Sequence, residues 1–180
     1  MQESRTKIKM FGMDVDGVLT DGGIYYGDMG LEIKRFHAQD GMGVALVRKA
    51  GLTPFVITGR RSDAVIRRAL ELGITEVHQG VDNKLACLKV LTAKYGTSPD
   101  EVAYVGDDFS DLDILLHVGF PIAVANARDE VKRAAKFVTS SGGGNGAVRE
   151  ACEWALRLNG QWEALISAHP SGQEPGERSG

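Results

Sequence analysis

Ile8-Lys9-Met10-Phe11-Gly12-Met13-Asp14-Val15-Asp16-Gly17 is a mainly apolar run that ends on two carboxylates and a glycine. Residues 8–13 read as a buried strand, since a short apolar run closed by a turn signal can pack on both faces of a sheet. Outward from there, Asp21-Gly22-Gly23 is a turn, and residues 24–26 and 31–37 form a predicted hairpin around Gly27-Asp28-Met29-Gly30. A helix is expected at 43–50. A second core strand at 53–57 is broken by Thr58-Gly59, and a helix at 62–72 carries Val65, Ile66, Ala69 and Leu70 at helical spacing. A short strand starts at Val77, and a helix at 82–95 points Leu85, Leu88 and Leu91 inward. Ser98-Pro99-Asp100-Glu101 has the cap, proline and acid of a helix start. A strand at 102–105 then ends on Gly106-Asp107-Asp108. Segments 111–117, 121–124, 129–135 and 137–138 continue the alternation, and a helix is expected at 147–158.

Strand and helix alternate throughout, which predicts a three-layer, Rossmann-like α/β fold with a parallel sheet and a small hairpin flap. In such sheets ligands bind beyond the carboxyl ends of the strands. Asp14, Asp16, Thr58, Asp107 and Asp108 all fall at predicted strand ends.

The 180 residues suit one domain, expected at 1–165, followed by a tail at 168–180 too poor in apolar residues to build a core. Hydrophobic residues make up 43% and charged residues 25%, and the net charge is −3, so the totals suggest no nucleic-acid partner. The first residues are polar, without the apolar core of a signal peptide, and no apolar run is long enough to span a membrane. The expectation is a cytoplasmic protein with no membrane partner. Cys87 and Cys152 read as reduced thiols, not a disulfide framework. The histidines His37, His78, His117 and His169 lack metal-ligand spacing.

Asp14 and Asp16 bracket one residue, so an extended segment places both on one face. One carboxylate can attack phosphorus, and the other can protonate a leaving alcohol and then activate water. Gly17 permits a tight turn beside them. Carboxylate and phosphate repel, so a cation is required, and oxygen ligands favour Mg²⁺. Alone, Asp-x-Asp-Gly also suits a turn with solvated acids; an EF-hand is a poor fit because no glutamate stands at the twelfth position. Thr58-Gly59 suits either an anion site or a plain helix cap. Lys84 suits either a phosphate partner or a solvated surface charge.

In order, Asp14-Val15-Asp16-Gly17-Val18-Leu19-Thr20, Thr58-Gly59-Arg60, Lys84 and Gly106-Asp107-Asp108-Phe109-Ser110-Asp111 resemble the motifs of the haloacid dehalogenase superfamily. The resemblance implies Asp14 as nucleophile, Asp16 as general acid and base, and Thr58 and Lys84 as phosphate holders. It also implies a Mg²⁺ site of Asp14, Asp107 and the Asp16 backbone carbonyl, with Asp108 and Asp111 as supporting acids. Only 42 positions separate Asp16 from Thr58 and 26 separate Thr58 from Lys84, too few for a cap domain. Capless members close their sites by forming tetramers, so a homotetramer is expected, with residues 24–37 as a main interface element.

Phe36-His37-Ala38-Gln39-Asp40-Gly41, Leu72-Gly73-Ile74 and Gly146-Ala147-Val148-Arg149-Glu150 narrow the resemblance to the octulosonate phosphatases of that superfamily. These release phosphate from an eight-carbon keto-sugar acid on the route to lipopolysaccharide. The implied substrate contacts are Asp16, His37, Ala38, Gln39, Asp40, Gly41, Ala45, Arg60, Arg68 and Lys84. Arg60 and Arg68 could serve the substrate's two anionic groups, since guanidinium forks match carboxylate and phosphate; Arg68 could equally be a solvated helix charge. Nine-carbon relatives carry glutamate where this chain has Arg60, whereas many octulosonate phosphatases carry arginine where it has Gln39. A nine-carbon keto-sugar acid phosphatase and a broad sugar phosphatase are the alternatives within enzymes. A silent assembly module would have lost one of Asp14, Asp16, Thr58, Lys84 and Asp107, and all are present. Residues 142–146 suit a linker or a helix-entry turn.

Overall fold

A computed structural model describes residues 7–168. Residues 1–6, His169 and nearly all of the expected tail lie outside the described residues. Apolar β1 (Met10–Met13) is buried along its whole length. It pairs in parallel with β4 (Thr53–Thr58) on one side and β6 (Val102–Gly106) on the other. With β5 (Glu76–Gln79), β7 (Phe120–Ala123) and β8 (Phe137–Val138) they make a six-stranded parallel sheet in the order β5-β4-β1-β6-β7-β8. The hairpin is a separate antiparallel pair, β2 (Tyr25–Tyr26) and β3 (Glu32–Ile33).

Helices cover both faces, as a parallel sheet requires. The helices α1 (Ala38–Lys49), α2 (Asp63–Leu72) and α6 (Ala147–Leu158) form one layer. The other layer is α3 (Lys84–Tyr95), α4 (Leu112–Leu115) and α5 (Asp129–Ala134). The core runs through the sheet, with Phe11, Met13, Phe55, Ile57, Tyr104 and Ile122 sealed from solvent.

Register explains why the site forms where it does. Met13 lies opposite both Val56 and Val105, so Asp14, Thr58 and Asp107 emerge together just beyond it. The Asp14 amide donates to the Val105 carbonyl at 3.0 Å, which fixes the first residue past the strand.

Five expectations change. Helix α1 starts at Ala38 instead of residue 43, because the buried Asp40 carboxylate accepts from the Arg149 amide and docks this first turn on α6. The hairpin strands are only two residues each, because the chain leaves the ladder after Ile33 and Phe36 bridges to Thr20 beside the nucleophile turn instead. Pro99–Glu101 is a single 3₁₀ turn with its capping box, after which β6 begins at once. Ile66 and Leu70 face outward, 47% and 80% exposed, whereas Val65 and Ala69 are buried. A further helix, α7 (Trp162–Ser167), spans the expected boundary at 165. Its Trp162 packs under the Arg149 and Arg157 guanidiniums, at 5.7 and 4.7 Å from the ring centroid.

Candidate active site

Asp14, Asp16, Thr58, Arg60, Lys84, Asp107 and Asp108 line one cleft of about 200 Å³ at the carboxyl ends of β1, β4 and β6. The turn after β1 depends on Gly17, whose φ is +93°. A side-chain carbon there would stand 2.1 Å from Asp107 Oδ2, so only glycine lets the two loops meet. Buried Thr20 clamps the turn: its hydroxyl donates to the Val15 carbonyl at 3.2 Å and accepts from the Gly17 and Gly22 amides. Residues 142–146 are neither a linker nor free of the site. A side-chain carbon at Gly143 would lie 1.7 Å from the Gly17 carbonyl oxygen, so this run braces the turn from behind.

Lys84 is the first residue of α3, capped by Asn83, whose side chain accepts from the Ala86 amide at 2.8 Å. Its ammonium is buried between Asp14 Oδ1 at 3.0 Å and Asp111 Oδ1 at 2.7 Å. Burial pulls the Lys84 pKa down, but Asp14 and Asp111 outweigh it and hold the pKa above its ordinary value. Asp111 is sealed from solvent. Its Oδ1 also accepts from the Tyr104 hydroxyl at 3.3 Å, and its Oδ2 accepts from the Asp107 and Asp108 amides at 3.0 and 3.4 Å.

The cleft holds more negative charge than Lys84 balances. Burial, then the Asp111 charge, push Asp14 up to about 6 against the pull of Lys84. Burial and the charges of Asp14, Asp111 and Asp108 push Asp107 up to about 8. Among the described residues, Asp14, Asp107 and Asp111 bring carboxylate oxygens within 4.8 Å of one another. Among the described residues, Asp107 Oδ1 is buried without a hydrogen-bond donor, and buried Asp14 Oδ1 has only the Lys84 ammonium beside it, at 3.0 Å. Both Asp111 oxygens are committed to donors. Asp14 and Asp107 therefore fit a hard divalent cation, and Asp111 fits the part of a brace.

The remaining expected contacts do not line this cleft within one chain. Arg68 pairs with Glu71 at 3.0 Å, lies 6.0 Å from the Phe36 ring centroid and packs on Gly41. It opens on a separate hollow of about 310 Å³ with Leu31, Phe36 and Ala64. His37, Gln39 and Asp40 gather near the start of α6, at Gly146 and Arg149. Ala38 and Ala45 are exposed on α1. Sequence reasoning passed over Lys34, Glu32, Thr20 and Tyr104. Lysine and glutamate in a hairpin read as surface charge, and a strand tyrosine reads as core.

The cleft joins a carboxylate pair on a strand end, a buried lysine and a cation-ready acid pair, a set suited to phosphoryl transfer. A family profile for haloacid dehalogenase-like hydrolases matches residues 70–150. The 3-deoxy-D-manno-octulosonate 8-phosphate phosphatase of Escherichia coli K12 is 42% identical over 154 residues, 86% of this chain and 82% of its own. The crystal structure of that phosphatase from Moraxella catarrhalis, in complex with magnesium, phosphate and KDO, superposes with a TM-score of 0.87 at 44% identity. It covers 90% of this chain and 93% of its own. The cobalt-bound deoxy-D-mannose-octulosonate 8-phosphate phosphatase of Haemophilus influenzae gives a TM-score of 0.86 at 36% identity, covering 93% and 96%. Fold and site thus define a capless haloacid dehalogenase-like hydrolase. Within that class, the chain belongs to the family of 3-deoxy-D-manno-octulosonate 8-phosphate phosphatases.

Proposed function

We propose that this chain hydrolyses 3-deoxy-D-manno-octulosonate 8-phosphate to the free sugar acid and phosphate, on the route to lipopolysaccharide. The observation that carries this is the convergence of Asp14, Asp16, Lys84 and Asp107 in one cleft, in a chain so similar to phosphatases of that ester. An Asp14 carboxylate oxygen attacks phosphorus while the ester P–O bond breaks, and the departing oxygen takes a proton from Asp16. The Asp16 carboxylate then accepts a proton from water as the water oxygen attacks phosphorus, freeing Asp14 and phosphate. Thr58 and Lys84 hold the phosphoryl oxygens, and the buried Lys84 charge offsets the negative charge brought against Asp14. Asp14, Asp107 and the Asp16 carbonyl would hold magnesium, which supplies positive charge between nucleophile and phosphate.

Arg60 is 42% exposed at the cleft and suits the substrate's anionic end. The hairpin leaves Met29 105%, Tyr26 73% and Leu31 56% exposed, a large apolar surface for so short an element. That surface supports a homotetramer seated on the hairpin. In such an assembly the Arg68 hollow, with the His37–Gly41 segment and Ala45 nearby, would complete a neighbour's cleft. No helix among the described residues is long and apolar enough to cross a membrane, and a cytoplasmic location is part of this reading. The test compares kcat/KM with Mg²⁺ on the eight-carbon and nine-carbon keto-sugar acid phosphates. Preference for the eight-carbon ester is expected. Preference for the nine-carbon one, or turnover of neither, overturns the assignment.

A further inference from the structure

Lys34 follows β3 on the hairpin, and its side chain is fully shielded from solvent. A lysine buried to that degree needs anionic partners. Its ammonium donates to Asp16 Oδ1 and lies 3.3 Å from Glu32 Oε1. Arg60 closes the ring from the loop after β4. Its Nε is 3.7 Å from Asp16 Oδ2, and its Nη2 is 3.4 Å from Glu32 Oε1. Two carboxylates and two cations thus alternate around the cleft's edge.

The two cations differ in freedom. Arg60 is 42% exposed and its contacts in the ring are long, so it can turn toward an arriving anion. Lys34 has no such freedom. Among the described residues, it is also the one hydrogen-bond donor to the Asp16 carboxylate. One Asp16 oxygen is therefore anchored, and the other is left toward Arg60 and the cleft.

The geometry points to Lys34 as a positioning residue for the reaction: it fixes the Asp16 carboxylate so that its proton meets the leaving oxygen. This rests on the reading of Asp16 as proton donor and acceptor given above. A general acid depends on being held within hydrogen-bond reach of the oxygen it serves. An aspartate on a turn, without an anchor, samples other rotamers. Lys34 removes that freedom from a hairpin outside the sheet that carries the nucleophile.

Leaving-group dependence tests this. A sugar phosphate expels an alkoxide and needs the proton, whereas 4-nitrophenyl phosphate expels a stable phenolate and hardly needs it. Lys34→Met in the full chain with Mg²⁺ should lower kcat/KM on octulosonate 8-phosphate by about tenfold or more, part of what general acid catalysis supplies. The same variant should change kcat/KM on 4-nitrophenyl phosphate by less than about threefold, because kcat/KM reports only the steps up to departure of the leaving group and not the later attack of water, which Asp16 serves for both substrates. Lys34→Gln keeps an N–H donor without the charge. It should show a smaller loss of the same kind, and it carries the comparison should the methionine variant not fold. In an Asp16→Asn background, Lys34→Met should cost nothing further, because both act through one group. Equal losses of kcat/KM on the two substrates, no loss on either, or a further loss in the Asp16→Asn background would overturn the inference. A wild-type chain inactive on both substrates would instead sink the phosphatase reading, so the two failures are distinct.

Discussion

Replacing Asp111 by asparagine removes one charge and turns one acceptor into a donor, at a residue where every oxygen is used. Oδ1 faces the Lys84 ammonium at 2.7 Å and the Tyr104 hydroxyl, and Oδ2 faces the Asp107 and Asp108 amides. The new NH₂ must meet donors whichever way it turns. Against the amides, it leaves two partly buried N–H groups unpaired, at the low end of about 1–3 kcal/mol each. Against Lys84, it breaks a buried ion pair, at about 3–5 kcal/mol. Relief of the repulsion that Asp111 exerts on Asp14 and Asp107 offsets part of this. A net loss of about 2–3 kcal/mol follows, which lowers Tm by about 5–10 °C for a chain of this size. Lys84 also loses one of its two anchors, and a side-chain displacement of about 1 Å at a reacting centre costs about a hundredfold in kcat. Thermal melts and phosphate release on the purified variant measure both. A Tm within about 2 °C of wild type, with kcat within about threefold, would refute the reasoning, because a residue so placed could then not be holding the site.

Asp14→Asn should abolish turnover with Mg²⁺ while the protein stays folded; residual turnover at wild-type rates would rule out the covalent route. Glu76 is held at about 2, first by the hydrogen bond from Lys94, so its stabilising effect is complete above about pH 4.5 and is lost as pH falls toward 2. Glu76→Gln should cost about 1–2 kcal/mol at pH 7 after screening at exposed Lys94, and denaturant titrations should show this gap closing between about pH 4.5 and 2. Gly143→Ala forces a side-chain carbon against the Gly17 carbonyl and should destabilise by about 2–3 kcal/mol, read as a lowered midpoint in urea, with a loss of activity beyond what stability explains. Met29→Lys should shift the chain toward monomer in sedimentation velocity and reduce activity on the sugar acid phosphate; an unchanged oligomer would remove the hairpin from the interface.

The residues that gather in the cleft were legible because apolar runs ending on Asp14, Thr58 and Asp107 carry a strand signal and a chemical signal at the same place. Parallel pairing then does the rest, since register alone brings three strand ends level. Other features depend on contacts distant in sequence. The first two turns of α1 contain Gly41 and Gly43, weak helix formers, and are held by the Asp40 bond to Arg149. Ile66 and Leu70 keep helical spacing yet face outward, because the apolar stripe on α2 is wider than the face the sheet covers. Helix α7 is short and rests largely on Trp162 beneath two arginines, an arrangement with no periodic signature. Lys34 was hidden for a related reason: only the approach of the hairpin to Asp16 turns an ordinary surface residue into a buried one.

The brace formed by residues 142–146 sets an order in time. Strand β1, which leads into Asp14, leaves a ribosome before the other parts of the site. Its neighbours β4 and β6 follow later, and the glycines that back its turn come later still. Pairings of such sequence separation form slowly, because a long loop must close before they gain anything. A nascent chain that stops before residue 142 carries the acidic residues with Thr20 clamping their turn but without the brace behind it. The catalytic centre is therefore begun with β1 and completed only once residues 142–146 have been made.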